Sequence, residues 1–348
     1  MKERSLGLDL LRIAACFSLF PFHLCEYGMN DGILELNYVD TFIKALFEYH
    51  IPIFLMITGA LFYSREEIDI KHLYFHNILH ILCVYVFWSA IYAVFDVLIN
   101  LQNVTDVKNL LKWIILDIRD SHYHLWYLPM IIGIYIVIPL FHAAIGNGNN
   151  KPLLKYSVVV FLLFGVIIPT LLLFPVPLET YSIMLNKIKV ELIAGYFGFT
   201  LVGYYLYENM ERISHKLVGV LIILSLVSVV IIEYVNMSRV PIEGVNTFFL
   251  YFPLPCLIVE ITLFILIGSI PSDRVKISRR LIAVIADCML GVYCMHDLVM
   301  SVVSMLLNSV LNNLHVVKLI LVVMISFALS VCITVLMKKS RILKRIAV

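Results

Sequence analysis

Charged side chains are scarce in this sequence, and their scarcity excludes a soluble globular domain. Only 14% of the 348 residues are charged, whereas 61% are hydrophobic, and the mean hydropathy is +0.96. Soluble domains carry about 25% charged residues, because a chain folded in water must present a polar exterior. A lipid bilayer removes that requirement, so the composition predicts an integral membrane protein.

The sequence also lacks the common signatures of cofactor and metal chemistry. It contains no Gly-rich phosphate loop and no HExxH element, and its seven cysteines lie in apolar runs without CxxC spacing. Cysteines in such runs are expected to be small buried hydrophobes. We therefore expect no disulfides, no metal site and no bound cofactor. The net charge of +2 gives no sign of a nucleic-acid partner.

Apolar stretches long enough to cross a bilayer, about 20 residues each, recur along almost the whole chain. We place them at Leu8–Gly28, Thr41–Tyr63, Ile78–Asn100, Tyr123–Ala144, Leu154–Phe174, Ile188–Tyr207, Leu217–Asn236, Phe248–Ile270, Leu281–Leu306 and His315–Met337. The pattern predicts an all-α polytopic protein with about ten transmembrane helices. Residues 1–337 would form one membrane domain and residues 338–348 a basic cytoplasmic tail. The polar stretch Leu101–His122 has room for an amphipathic helix.

The distribution of Lys and Arg predicts that both termini are cytoplasmic. With the N-terminus inside, 17 of the 26 basic residues fall in inner segments and 8 in outer segments, with Arg12 inside the first span. Short cytoplasmic loops carry such an excess of Lys and Arg. An even number of spans then returns the C-terminus to the same side.

Two ionisable groups inside the first span are the strongest candidates for chemistry. Arg12 and His23 are eleven positions apart, which on an α-helix is three turns plus about 20°, or roughly 16 Å along the axis. Both side chains would therefore point the same way. Ionisable groups within spans are costly and usually functional. The alternative is that Arg12 snorkels to the headgroups and His23 is a hydrogen-bonded core histidine.

Further polar motifs interrupt later spans. Pro52 and the Thr58-Gly59 pair indicate a broken or closely packed second span. The fourth span opens with His122-Tyr-His-Leu-Trp-Tyr-Leu-Pro, in which an interfacial aromatic belt explains the aromatic residues but not the two histidines. The ninth span places His296 beside Asp297. Glu260 also falls inside a span, and the sequence gives it no role.

In this order, these motifs resemble the bacterial integral-membrane acyltransferases called acyltransferase family three, which O-acylate surface carbohydrates. That family's first helix carries an Arg and a His at the spacing of Arg12 and His23. A Phe-x-x-x-(Ser/Thr)-Gly element matches residues 54–59, a His-Leu-Trp-Tyr-Leu element matches residues 124–128, and a late Tyr-x-x-His element matches residues 293–296. The resemblance spans nearly the full length. It implies His23 and Arg12 as catalytic residues and Thr58, His124, Trp126, Tyr127 and His296 as substrate-binding residues.

One segment departs from the family pattern. Where the family is rich in Arg near the third span, this chain has Lys71, His72, His76 and His80. The three histidines recur every four residues, which places them on one face of a helix. They predict a pH-dependent contact to donor phosphates, because histidine titrates near neutrality. A solvated interfacial face is the alternative interpretation, and a metal site is a weaker one.

The resemblance implies a membrane O-acyltransferase, most simply an O-acetyltransferase, in the inner membrane of a bacterium. Acetyl-CoA or another acyl-CoA would be the donor substrate, and a cell-surface or lipid-linked carbohydrate the acceptor. Membrane lipids are further expected partners, and an oligomer is compatible with the sequence. Spans that carry ionisable groups and broken helices also occur in secondary transporters, so a transporter and a non-catalytic membrane subunit or sensor remain alternatives.

Overall fold

The computed structural model describes residues 4–30, 38–99, 111–112, 115–116, 119, 122–172, 187, 195–238, 254–271, 274–308 and 315–348. Within them the chain is almost entirely helical and contains no strand. The main helices are α1 (Leu6–Asn30), α2 (Tyr38–Phe47), α3 (His50–Tyr63), α4 (Leu79–Ile99), α5 (Tyr127–Ile145), α6 (Lys151–Phe161), α7 (Ile168–Leu172), α8 (Phe197–Asn209), α9 (His215–Ser238), α10 (Leu254–Gly268), α11 (Arg279–Ala286), α12 (Met289–Asn308), α13 (His315–Met337) and α14 (Leu343–Ile346). The predicted all-α polytopic class is confirmed.

Eight helical segments in the described residues are long and apolar enough to cross a membrane. They are Leu6–Cys25, Val39–Tyr63, Ile70–Asp96, Tyr127–Gly148, Lys151–Leu171, His215–Tyr234, Met289–Leu307 and Val316–Met337. The other two predicted spans are described only in part, as α8 and as the shorter apolar α10. Most of the predicted amphipathic segment Leu101–His122 lies outside the described residues.

Two predicted spans are divided by breaks that the apolar pattern alone does not show. The second span breaks at Glu48 and Tyr49, between α2 and α3. Pro52 follows in the first turn of α3, where a missing backbone N–H costs little. The predicted span Leu281–Leu306 is divided between α11 and α12, and its apolar segment begins at Met289.

The chain folds as two compact units. The first contains residues up to Glu66 together with Phe141–Ala286, and the second contains Glu67–Leu140 with Asp287–Val348. In the first unit α1 packs on α2, α3, α10 and α11, and α3 packs along α8. In the second, α12 packs on α13 and α4, and α14 packs on α4.

The predicted tail, residues 338–348, is part of the second unit and packs on α4 within it. The side chains of Ala347 and Val348 are buried. The indole nitrogen of Trp88, on α4, donates a hydrogen bond of 2.8 Å to the carbonyl of Ala347. The end of this segment is thus packed on α4, while its location on the cytoplasmic side of the membrane stays a prediction.

Candidate functional site

The first candidate site lies on α1, which carries Arg12 and His23 as one continuous helix. His23 is buried, with 8% of its surface exposed, and lies two residues after Pro21, which is inside the helix. Its ring lies near those of Phe22 and His50, with centroid separations of 5.2 and 6.0 Å. A second buried imidazole, from the start of α3, therefore stands beside the predicted base.

His50 is a residue to which the sequence analysis gave no role. It is buried, its ring packs on Phe22 with a centroid separation of 4.9 Å, and its Nδ1 lies 3.4 Å from the carbonyl of Phe47. The break between α2 and α3 places this ring at the His23 end of α1. A histidine directly after a helix break was the signal that could have identified it.

Arg12 lies about three helical turns away from His23, and 27% of its side chain is exposed. Its Nη1 is 3.9 Å from Oδ1 of Asp9. Arg4 holds both oxygens of the same carboxylate more closely, with hydrogen bonds of 2.5 and 3.0 Å. Because Arg4 already neutralises Asp9, the guanidinium of Arg12 keeps donors for an external anion.

Thr58, predicted to bind substrate, has its hydroxyl directed along its own helix. Its Oγ1 donates a 2.9 Å hydrogen bond to the carbonyl of Phe54. The neighbouring Gly59 lies so close to α8 that an added Cβ would be 1.8 Å from the carbonyl oxygen of Thr200. The Thr58-Gly59 pair is thus a place of close helix packing, one of the two possibilities that the sequence indicated for this span.

The second candidate site lies in the second unit, where the residues before α5 meet α12. It joins His124, Tyr127 and His296 of the sequence predictions with Tyr293. The ring centroids of His124 and His296 are 4.8 Å apart, and those of Tyr127 and Tyr293 are 5.6 Å apart. The hydroxyl of Tyr293 donates to the carbonyl of His124. Trp126 is half-buried in the turn that leads into α5.

Two residues that the sequence analysis did not assign complete this second site. His122 Nδ1 lies 3.1 Å from Nδ1 of His124 and 3.8 Å from Oδ2 of Asp297. Tyr92, from α4, stacks on the His122 ring at a centroid separation of 4.2 Å. Three histidines, an aspartate and three tyrosines therefore form one cluster within the second unit.

The four predicted donor-phosphate residues do not behave as one row. Lys71, His72 and His76 are exposed, and the two histidine rings stack at 4.6 Å. His80 is half-buried, and its Nε2 lies 3.1 Å from the carbonyl oxygen of Val348. The π-helical turn Leu73–Ile78 shifts the register of side chains between His72 and His80.

A basic cavity of about 210 Å³ in the first unit was not predicted from the sequence. Lys151, Lys155 and Arg212 line it, together with Tyr204 and a carboxylate, Glu208. The backbone N–H of Gly148 donates 2.8 Å to the hydroxyl of Tyr204 at the same place. The cations come from the first turns of α6 and from the turn Met210–Arg212 after α8, which are distant in sequence, so no local motif could have indicated the cavity.

Comparisons with known proteins agree with the resemblance seen in the sequence. A family described as "Acyltransferase domain" matches residues 5–339. A protein from Enterococcus faecalis named "Amino-acid racemase" is 25% identical to this chain over an alignment of 374 positions, gaps included. The alignment covers 99% of this chain and 48% of that protein. The chain thus spans about half the length of this curated relative. No solved structure matches the chain.

Proposed function

This chain belongs to the acyltransferase family that matches it from residue 5 to 339. From that premise we propose that it is a membrane acyltransferase, and we propose its donor, acceptor and catalytic residues. The donor is acetyl-CoA, and the acceptor is a hydroxyl group of a cell-surface or lipid-linked carbohydrate. The protein lies in the bacterial inner membrane with both termini in the cytoplasm. The observation that carries the proposal is a buried His23 on the same continuous helix as Arg12.

His23 acts as the general base in this proposal. A ring nitrogen accepts the proton of the acceptor hydroxyl while the hydroxyl oxygen attacks the thioester carbonyl carbon. The tetrahedral intermediate then expels the CoA thiolate, which recovers the proton as the C–S bond breaks. Burial of His23 supports this role, because exclusion of water strengthens the hydrogen bonds and charges that act on the reacting atoms.

Arg12 orients the donor. Its guanidinium is partly exposed, and a planar fork of N–H donors suits phosphate or a developing oxyanion. Asp9 is held by Arg4 at shorter distances, so the donor does not have to displace an internal carboxylate from Arg12. Arg12→Lys should restore binding only in part, because an ammonium cannot make the bidentate contact.

The donor's remaining phosphates have two basic candidates. One is the exposed set of Lys71, His72 and His76, and the other is the basic cavity with Lys155 and Arg212. All these residues fall in segments that the Lys and Arg distribution places on the cytoplasmic side. Introducing a negative charge distinguishes the two candidates. His76→Glu should weaken donor binding if the phosphates bind at the exposed set, and Arg212→Glu should weaken it if they bind in the cavity.

The decisive experiment measures labelled acetyl transfer from acetyl-CoA to membrane glycans in vesicles, together with donor binding to the purified protein. For His23→Ala we expect turnover to fall by roughly 10² to 10⁴ with donor binding little changed. Arg12→Ala should weaken donor binding instead. His50→Ala removes the equally buried imidazole beside His23, and it should retain turnover if His23 alone is the base.

Full transfer activity in His23→Ala would contradict the general-base role. The transporter alternative makes a different prediction, since the wild-type protein would move a solute across the vesicle membrane and label no acceptor. Mass spectrometry of surface glycans from cells with and without the protein identifies the acceptor. A missing acyl mass would give both the acyl group and the sugar that carries it.

A further inference from the structure

The histidine cluster of the second unit presents three metal-ligand atoms to one point. His122 and His124 each offer a ring nitrogen and Asp297 offers a carboxylate oxygen, and these three atoms all lie within 4.8 Å of one another. Nδ1 of His122 faces both Nδ1 of His124 and Oδ2 of Asp297. Two of the separations are 3.1 and 3.8 Å. Ligands at a tetrahedral zinc ion, with bonds of about 2.0–2.1 Å, are roughly 3.3–3.4 Å apart. The observed separations lie on either side of that value.

The protons of the cluster also favour a cation. Nε2 of His124 lies 3.3 Å from the carbonyl of Cys294, and a carbonyl can only accept, so Nε2 carries the proton. In the neutral ring Nδ1 of His124 then presents a lone pair toward His122. Nδ1 of His122 faces both this lone pair and Asp297, and one proton on it can serve only one of these contacts. A metal ion between the three groups would satisfy all of them.

Neighbouring groups hold the His124 and Asp297 side chains in place by hydrogen bonds, as the groups around the ligands do in known metal sites. A metal-bound histidine usually donates its other ring N–H to a carbonyl or carboxylate, as His124 does to Cys294. The hydroxyl of Tyr92 donates 2.9 Å to the same carbonyl, while its ring stacks on His122. Tyr123 donates 3.2 Å to Oδ1 of Asp297, which leaves Oδ2 turned toward His122.

We propose that His122, His124 and Asp297 bind a divalent transition-metal ion of the zinc type. Two imidazoles and one carboxylate are a ligand set that zinc accepts, and three protein ligands leave a fourth position for water or a substrate oxygen. The side chain of His122 is 18% exposed, so the site can be reached from outside. The inference does not depend on His23 or on the identity of the donor.

Metal binding to the full chain tests the proposal. The protein is purified in detergent without a polyhistidine tag, stripped with a chelator, and titrated with Co²⁺ while its visible absorption is recorded. We expect one ion per chain, with the intense visible bands of a tetrahedral site, and displacement by Zn²⁺. Metal analysis of unstripped protein gives the ion bound during expression.

Asp297→Asn is the sharpest variant, because the amide keeps the shape and an oxygen acceptor for Tyr123 but loses the anionic ligand. His122→Ala removes a second ligand. Each should weaken Co²⁺ binding by more than about 100-fold, since loss of an outer-shell partner alone costs about 10–100-fold. His215→Ala is the control, because His215 is exposed at the start of α9 in the first unit and should change nothing.

Two outcomes would overturn the inference. The first is a wild-type protein that binds no stoichiometric ion, which would make the cluster a hydrogen-bonded histidine pair. The second is equal affinity in the wild type, Asp297→Asn and His215→Ala, which would place the ion elsewhere. A thermal melt of each stripped variant distinguishes lost binding from lost folding. Failure here leaves the acyl-transfer proposal intact, because that is tested at His23.

Discussion

At the scale of single residues, Glu260 is the acid for which the proposed chemistry has no use. It lies on α10 with 1% of its surface exposed, and its Oε2 has no hydrogen-bond partner among the described residues. Its neighbours along the helix, Cys256 and Val259, belong to an apolar cluster with Val229 and Ile232. The Oε2 atom in such surroundings loses hydration without recovering it in a hydrogen bond.

Replacing Glu260 by Met should therefore stabilise the protein. We expect a gain of about 1–3 kcal/mol, the cost of leaving a buried polar group unsatisfied, because Met fills a similar volume without a polar atom. Thermal unfolding of the purified protein in detergent measures the gain. Glu260→Ala is the control, since it removes the same oxygen but leaves a cavity and should be less stable than Glu260→Met. A melting temperature of Glu260→Met below that of the wild type would show that the carboxyl group has a stabilising partner.

At the scale of helices, two glycines allow α3 and α8 to pack with their backbones close together. An added Cβ would be 1.8 Å from the Thr200 oxygen at Gly59 and 2.1 Å from the Met56 oxygen at Gly203. These are backbone atoms, which cannot rotate away as a side chain can. Small residues are what allow helix backbones in membranes to come this near.

Gly59→Ala should push α3 and α8 apart and destabilise the protein by about 1–3 kcal/mol or more, the usual cost of overpacking. Gly133→Ala is a matched control in the interior of α5, because nothing lies within 4 Å of a Cβ added there. That change should be neutral or stabilise by roughly 0.5–1 kcal/mol, since Ala favours a helix more than Gly does. Melting temperatures of the two variants in the same detergent give the comparison, and equal values would refute the packing argument.

The π-helical turn before α4 leads to a prediction about pH. It leaves His72 and His76 exposed and stacked, and imidazoles gain positive charge as the pH falls toward about 6. A phosphate group bound across both rings would offset their mutual repulsion. If the donor binds there, acetyl-CoA affinity should rise as the pH is lowered, and His76→Arg should flatten that rise because Arg stays charged.

The measurement is donor affinity of purified protein across pH 6 to about 8, the range in which histidine charge changes. His142→Gln serves as the control, because that ring lies in the first unit, with its Nε2 2.9 Å from the carbonyl of Arg65. If the affinity of the wild type does not vary with pH, the donor phosphates bind in the basic cavity instead of at His72 and His76.

For the whole molecule, the testable property is its orientation in the membrane. The excess of Lys and Arg predicts that both termini are cytoplasmic. Reporter fusions after Val348 and within Leu101–His122 should therefore report opposite sides. The eight described spans do not by themselves fix this outcome, since two predicted spans are described only in part. Both reporters on one side would refute the ten-span topology.

The sequence alone predicted the class of protein and its family. It also predicted that Arg12 and His23 lie on one helix. Apolar runs of spanning length follow directly from the physics of lipid, where every backbone group must be bonded within a helix. The pairing of Arg12 with His23 also needed no tertiary information, because both lie on one helix and helical geometry relates them.

Tertiary structure decided what the distant motifs form. Asp297 meets His122 and His124 only because α12 packs beside the start of α5 in the second unit. The distance along the sequence between these residues does not predict that contact. The basic cavity likewise joins Lys151, at the start of α6, with Arg212, in the turn after α8. Pro52 and Thr58-Gly59 indicated a broken or closely packed second span, but not that the break falls at Tyr49. Uniform apolarity satisfies lipid whether or not the helix is continuous.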